Sequence, residues 1–483
     1  MKLASSIVLC LLFMISHAAC QEAPASGGDL RAQAAETMRK AAIFYRTRVA
    51  SHGGYVYYYT PDLRQRWGEG RARPDQIWVQ PPGTPTVGMA YLRAYEATGG
   101  TYYLDAAREA ALALVAGQLS SGGWSNQIDL SLRRLLERLG RGGEIYSPMS
   151  SLDDGQTQSA IKFLARIDRV LGFQHEKIHK SVLRALESLL AAQFPNGAFP
   201  QGYRGPVRPQ PVLRASYPEY DWRTEGRMKE YWFLYTLNDN VIGYVADAFA
   251  EAYSVYGDER YKTAIRRIGD FLILAQMPEP QPAWAQQYSF EMKPVWARRF
   301  EPPAISGHES QEVLKTLLLV YRVTGDRKYL EPIPRAVAYL RRSLLSDGRL
   351  ARFYELRTNK PLFMTRSRRA YTLTYDDSNT PGHYGWKFES RLDEIEREYN
   401  ELAGLSLSAL SNVPERPLED RVREAIASLD DHGRWISVHD GTRIVGQPGW
   451  QRQAGFRHIS SAVFSRNIET LSEYLIATAD QGR

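Results

Sequence analysis

Cysteine is nearly absent from this chain. Among 483 residues there are two, Cys10 and Cys20, both in or at the edge of the N-terminal segment. The body of the protein therefore holds no disulfide and no thiol that could act as a nucleophile. Long apolar runs are missing too. The one run at the start, Ile7 to Ile15, is too short to cross a bilayer as a helix, and no later segment is long enough. Neither a Gly-x-Ser-x-Gly elbow nor a phosphate-binding loop occurs. There is no basic block, zinc-finger spacing or RNA-binding signature, so the net charge of +7 suits an anionic partner other than nucleic acid. His175 and His179 lie four apart without an acidic companion in sequence and read as surface residues of a helix.

What is present is an ordinary globular composition, 43% hydrophobic and 24% charged. Lys2, the apolar run and Ser16-His17-Ala18-Ala19 together have the layout of an export signal. Residues 1–20 are expected to be that signal, 21–28 a linker and 29–483 a single domain, with secretion or a periplasmic location following. Cys20 also stands where a lipoprotein of the outer membrane would carry its lipid anchor. His17 occupies a position that is aliphatic in such signals, which favours simple secretion. A monomer is expected.

Internal repetition is the strongest signal. One set of helical runs, Ala32–Ala50, Tyr102–Gln118, Glu176–Gln193, Asp258–Gln276, Arg327–Ser343 and Asp420–Leu429, is amphipathic, and each is followed by a Gly-containing or aromatic segment. A second set alternates with it: Thr86–Thr98, Gln156–Leu171, Val241–Tyr256, Glu312–Thr324, Leu392–Leu410 and Ser460–Thr478. These are more continuously apolar, as buried helices are. Two alternating kinds, about six of each, predict an inner and an outer ring. The fold expected is all-α, an (α/α)6-type toroid.

In such a ring the inner helices run in one direction and gather their N-termini at one mouth, with free N–H groups and positive dipole ends. Those starts carry Pro81–Thr86, Ser151-Leu152-Asp153-Asp154, Leu237-Asn238-Asp239-Asn240 and Ser306-Gly307-His308-Glu309. Each can be read as helix capping, Thr84 with Pro85, Ser151 with Asp154, and Ser306 with Glu309. Together they hold more polar groups than caps require. Carboxylates, amides and helix N-termini around one opening suit a hydrated anionic chain, held through a hard cation. The stretch from Trp284 to Ser310 is dense in side chains that grip sugars. Two loops are expected to add aromatic faces and guanidinium forks: Pro195–Arg223, with Tyr217, Tyr220 and Trp222, and the basic Arg349–Arg369.

Several of these residues carry a family resemblance. Asn238-Asp239, Trp284 to Tyr288, Arg298 with Glu301, Ser306-Gly307 with Glu309-Ser310, and Arg352-Phe353-Tyr354-Glu355 with Asn359 and Pro361 resemble the family 10 polysaccharide lyases, the pectic acid lyases. Ser151–Asp154 and Pro195-Asn196-Gly197 are similar as well, and the likeness runs from about Pro148 to Pro361. The resemblance implies calcium-assisted anti-β-elimination on polygalacturonate, a pectate lyase activity with an arginine as base. It implies Arg352, Asp239 and Arg298 as catalytic residues. It places Asn238, Trp284, Gln287, Tyr288, Glu301, His308, Tyr354 and Asn359 on the substrate, and Asp239, Asp153 and Glu309 on calcium. Free arginine hardly deprotonates, so electrostatic neutralisation is the assignment taken for the arginines. The family often has a His-Asp pair where this chain has Tyr288-Ser289, which puts calcium dependence and pectate itself in question. A glycoside hydrolase with two opposed carboxylates, drawn from Asp239 and Asp153 or Asp154, and a non-catalytic glycan-binding protein of the envelope remain as alternatives.

Overall fold

The helices follow from apolar residues spaced three and four apart, and the ring follows from which of their faces are buried. A computed structural model describes residues 27–131, 149–223, 229–368, 370–404, 416–441 and 454–479. The expected export signal, Cys20 and most of the linker lie outside these residues. No helix among them is long and apolar enough to cross a membrane.

The described residues hold twelve α-helices in strict outer–inner alternation. The outer helices are α1 (Gly27–Phe44), α3 (Thr101–Gly117), α5 (Glu176–Ala191), α7 (Glu259–Ala275), α9 (Ile333–Arg342) and α11 (Leu418–Ala427). The inner ones are α2 (Thr84–Thr98), α4 (Gln156–Val170), α6 (Val241–Tyr256), α8 (Gly307–Thr324), α10 (Leu392–Ala403) and α12 (Ser461–Ala477). Helix α2 packs on α4, α4 on α6, α6 on α8 and α8 on α10, while α12 lies against α2 and brings the two ends of the chain together. The fold is an all-α toroid. Burial marks the two kinds: α7 hides one stripe (Ala264, Ile268, Phe271, Leu272, Ala275), whereas α4 buries nearly every turn. Inner helices α2, α6 and α8 stop at Gly99, Gly257 and Gly325, whose left-handed backbone lets the amide return to the last turn.

Several helix boundaries differ from expectation, two of them for a clear local reason. Helix α8 begins at Gly307, five residues before Glu312, because Ser306 caps it by accepting from the Glu309 amide at 3.2 Å. Helix α9 begins late, since Arg327–Tyr329 forms a 3-10 turn and Pro332 and Pro334 open the α-helix behind it.

Short strands sit at the helix starts. Ser150–Ser151 pairs with Gly202–Tyr203, Tyr235–Thr236 with Gln287–Tyr288, and Ile305–Ser306 with Phe353–Tyr354. Each ties an inner-helix N-terminus to the segment that follows the next outer helix. Recurrent side chains close the outer helices, whose last four carbonyls lack helical partners. The indoles of Trp124, Trp284 and Trp435 donate to Leu114, Leu272 and Ala425, each at 2.8 Å. Tyr288 and Tyr354 donate to Ala275 and Ser343 at 2.7 and 2.6 Å, while their oxygens accept from the amide three residues earlier. Gln118, Gln193 and Gln276 then stitch each outer helix to the next, donating to Ser181, Ala264 and Pro332. His179 is held by Asp168, a fully buried carboxylate of α4 that also accepts from the Tyr256 hydroxyl at 2.8 Å. His179 therefore belongs to packing between helices.

Candidate active site

Two inner helices start in the same unusual way. Before α4 the chain reads Leu152-Asp153-Asp154-Gly155, and before α6 it reads Leu237-Asn238-Asp239-Asn240; both form a single 3-10 turn. Leu152 and Leu237 are buried and pin the turns. Asp154 (φ 46°) and Asp239 (φ 50°) are left-handed, a conformation that short polar side chains tolerate best among non-glycine residues. The outcome is that one carboxylate oxygen from each of Asp153, Asp154 and Asp239 lies within 4.8 Å of the others. Amides hold the group from outside: Gln201 donates to Asp153 at 2.6 Å and Gln80 to Asp154 at 2.9 Å.

Two guanidinium groups stand beside these acids. Arg352, delivered by the turn between two short strands, donates to Glu309 at 2.8 Å and to the Asn238 carbonyl at 3.4 Å, and comes within 3.7 Å of Asp239. Arg298 pairs with Glu301 at 2.6 Å and approaches Asp239 at 3.9 Å. Burial opposes the charge on both arginines. Glu309 beside Arg352 and Glu301 beside Arg298 outweigh it, so both guanidinium groups titrate above their ordinary value. Each keeps its Nε buried without an acceptor among the described residues. The acids behave in the opposite sense. Burial, then repulsion from Asp153 and Glu69, pushes Asp154 up to about 7. Burial, then Asp154 and Asp153, raises Asp239 well above the carboxylate range.

Aromatic rings form the opposite wall. Tyr384 lies 4.2 Å from the Arg352 guanidinium and 5.5 Å from that of Arg298, and its hydroxyl donates to Glu301 at 2.8 Å. Phe388 lies 5.2 Å from Arg352 and stacks on His308 at 4.0 Å. The acids, both arginines, His308 and these rings face one cavity of about 970 Å³. Tyr57, Tyr58, Glu69, Pro81 and Pro82 close it on the N-terminal side, and Phe300 and His383 near Tyr384.

Residues 143–326 match the family model described as pectic acid lyase. Over that segment the chain is similar to the pectic acid lyases. Among solved structures it is similar to the family 10 polysaccharide lyase from Cellvibrio cellulosa, at 21% identity over 66% of this chain and 98% of that one, TM-score 0.46. A mutant of that enzyme in complex with trigalacturonic acid aligns at 20% identity over 67% of this chain and 99% of that one, TM-score 0.45. A sugar epimerase from a ruminal bacterium aligns at 12% identity over 92% of this chain and 98% of that one, TM-score 0.47. No curated protein matches the chain.

The structure brings Asp153, Asp239, Arg298, Arg352 and His308 to the cavity. Asn238 and Glu301, each 2% exposed, stand behind it as partners of Arg352 and Arg298. Glu309 is corrected: it is fully buried, paired with Arg352, and outside the acidic trio, whose third member is Asp154. Trp284, Tyr288 and Tyr354 are corrected as well, because they cap outer helices and are fully buried. Gln287 is spent on Tyr231 and Thr236, and Asn359 on Ser343 and Gln281; neither faces the cavity. Thr84 is the first residue of α2 and bonds the Tyr55 backbone, so it is not a cap.

The two loops also fold away from the opening. Tyr217 and Trp222 are buried, and of the basic stretch Arg349–Arg369 only Arg352 lines the cavity among the described residues. Ser289, in place of a family acid, is 7% exposed and accepts from the amides of Glu291 and Lys293, so it serves a turn. Asp154, Phe300, His383, Tyr384 and Phe388 are among the cavity residues that the sequence reading did not assign to the site. A signal for Asp154 exists in the sequence, since the two Leu-Asp/Asn-Asp turns align. Tyr384 sits in a segment without periodicity and left none.

Proposed function

We propose that this protein is exported and cleaves pectate or a related polyuronate by β-elimination, with the uronate carboxylate received by Arg352 and Arg298 next to a divalent cation, calcium first. The observation that carries this reading is the juxtaposition of three crowded carboxylates with two permanently charged guanidinium groups in one cavity. The acidic trio suits a hard cation: its donors are all oxygen, and burial together with repulsion within the group raises Asp154 and Asp239 above ordinary carboxylates. Asp153, Asp154 and Asp239 would hold the ion, which when bound supplies charge that neutralises the uronate.

In the reaction the C5 proton leaves, its electron pair forms the C4=C5 double bond, and the C4–O4 bond breaks. C5 is acidic only while the adjacent carboxylate is neutralised, which a fixed guanidinium does without reorganising. Arg352 is anchored for that task by Glu309 and Asn238 from behind and by Tyr384 across its face. Its raised titration argues against its serving as the proton acceptor. The N-terminal layout supports export, by simple secretion rather than through a lipid anchor at Cys20.

The test is incubation with polygalacturonate and other polyuronates, with added calcium or a chelator, monitored for the ultraviolet absorbance of unsaturated ends. Calcium-dependent absorbance in the wild type, lost or made calcium-insensitive in Asp239→Asn, is the expected result. New reducing ends without absorbance would replace the lyase with a hydrolase, and full turnover in chelator would remove the cation.

A further inference from the structure

We infer that the N-terminal wall of the cavity is a subsite for a sugar unit without a charged carboxylate, so the substrate sets an uncharged unit, a neutral sugar or an esterified uronate, beside the uronate that reacts. The inference rests on the β-elimination reading above and narrows its substrate. Residues 57–82 build this wall, outside the segment matched by the family model. Tyr58–Tyr59 pairs with Arg66–Trp67, and the turn that follows lays Gly68 on the Trp78 indole, so close that a Cβ would overlap the ring. Glu69 comes next and is exposed at the cavity. The Gln80 amide donates to Glu69 at 3.1 Å and to Asp154 at 2.9 Å, while its carbonyl accepts from Gln156 at 3.1 Å. One amide nitrogen thus fastens Glu69 to the acidic trio and extends the acidic side of the cavity onto the N-terminal wall.

The cations of the cavity lie elsewhere. Arg352 and Arg298 are bound to buried glutamates, and Lys162 on α4 is paired with Asp247 on α6. Among the described residues no cation from 57 to 82 lines the cavity, and Glu69 forms no ion pair. Even with a divalent ion on the trio, a second carboxylate placed at this wall meets like charge. What the wall does offer suits hydroxyls and C–H faces. Tyr57 is 7% exposed, and its hydroxyl is buried without a hydrogen-bond partner among the described residues. Burial, then Glu69 and Asp154, keep that phenol protonated, so it is a donor whose bond is left for a ligand oxygen. Tyr58, Pro81 and Pro82 add apolar surface beside it. The Tyr244 ring of α6, 42% exposed, lies next to Gly155 in the same cavity. Such a ring stacks on the C–H face of a sugar whether or not the sugar is charged, so Glu69 is the group that discriminates.

The test measures kcat/KM, from the absorbance of unsaturated ends, for wild type, Glu69→Gln, Glu69→Lys and Tyr57→Phe. Three polymers are compared: polygalacturonate, partly methyl-esterified polygalacturonate, and one that alternates uronate with a neutral sugar. The wild type is expected to cleave one of the last two about tenfold or more better than the first, and the better one identifies the source of the uncharged unit. Both Glu69 variants should narrow that ratio to within about threefold by raising kcat/KM on polygalacturonate. Tyr57→Phe should lower kcat/KM on the better polymer by about fivefold or more with Tm unchanged. A wild-type ratio under about threefold, a ratio that Glu69→Lys leaves intact, or a Tyr57→Phe variant equal to wild type overturns the subsite. Unsaturated product from polygalacturonate alone fails this inference and leaves the β-elimination reading standing. No unsaturated product from any of the three fails both.

Discussion

Removing the Glu309 carboxylate tests how the protein holds its central guanidinium. Glu309 is fully buried and Arg352 is 5% exposed, and they meet at 2.8 Å. In Glu309→Ala the guanidinium loses its closest counter-charge, and the Ser306 hydroxyl, which donates to Glu309, loses its acceptor. Asp239 at 3.7 Å and the Tyr384 ring compensate only in part. Breaking a buried pair from one side costs about 3–5 kcal/mol, whereas replacing both members by apolar residues of similar volume is close to neutral. Urea unfolding should therefore place Glu309→Ala about 3–5 kcal/mol below wild type with the slope unchanged, and Glu309→Leu/Arg352→Met well above that single variant. Burial pushes the Glu309 carboxyl up, but Arg352 and His308 pull it below its ordinary value. A depressed carboxyl contributes stability above the unfolded-state value and loses it as pH falls through the folded one. The gap between wild type and Glu309→Ala should accordingly be full near neutrality and shrink below about pH 4. A cost under about 1 kcal/mol at pH 7, or a gap that widens in acid, would refute the reasoning.

Trp284→Phe should retain wild-type KM and kcat while losing about 1–3 kcal/mol, because its indole meets the Leu272 carbonyl and no substrate; a raised KM in a fully folded variant would return it to the site. Calcium at about 100 times its dissociation constant should stabilise the wild type by about 2.7 kcal/mol in thermal or urea unfolding, and Asp239→Asn should remove most of that gain. An equal response in the two proteins would show the ion bound elsewhere.

The ring was legible because twelve amphipathic or apolar runs of similar length alternate, and burial obeys that pattern with few exceptions. The cavity was legible where helix N-termini supply it. Asp153, Asp239 and His308 come from such starts, and Arg352 stands out as a charge embedded among aromatic residues. Aromatic content misled elsewhere. Trp284 looks like a sugar platform when read alone, yet its equivalence to Trp124 and Trp435 marks a cap on the preceding outer helix. Tyr288 and Tyr354 share a hydroxyl geometry with each other in the same way. Long-range partnerships such as Arg352 with Asn238 across 114 residues leave no local trace, since a guanidinium and an amide have no periodicity to betray them.

The acidic trio is a consequence of repetition with one change among its acidic positions. Helices α4 and α6 are ring neighbours and lie in register: Lys162 pairs with Asp247 and Arg166 with Glu251, each across 85 residues. The same offset sets Asp154 against Asp239 at the two helix starts, both in left-handed turns that aim their carboxylates into the cavity. Had both copies read Asp-Asp, four acids would crowd one point with two arginines nearby, and the repulsion already raising Asp154 and Asp239 would grow. The second copy instead reads Asn238-Asp239. Asn238 adds no charge, offers its carbonyl to Arg352 and lets its amide meet Asp239. That single difference joins the acids to the guanidinium groups, so restoring the repeat with Asn238→Asp should strengthen cation binding while drawing Arg352 off its place. Tighter calcium binding with slower turnover would support this division between the two copies; faster turnover would contradict it.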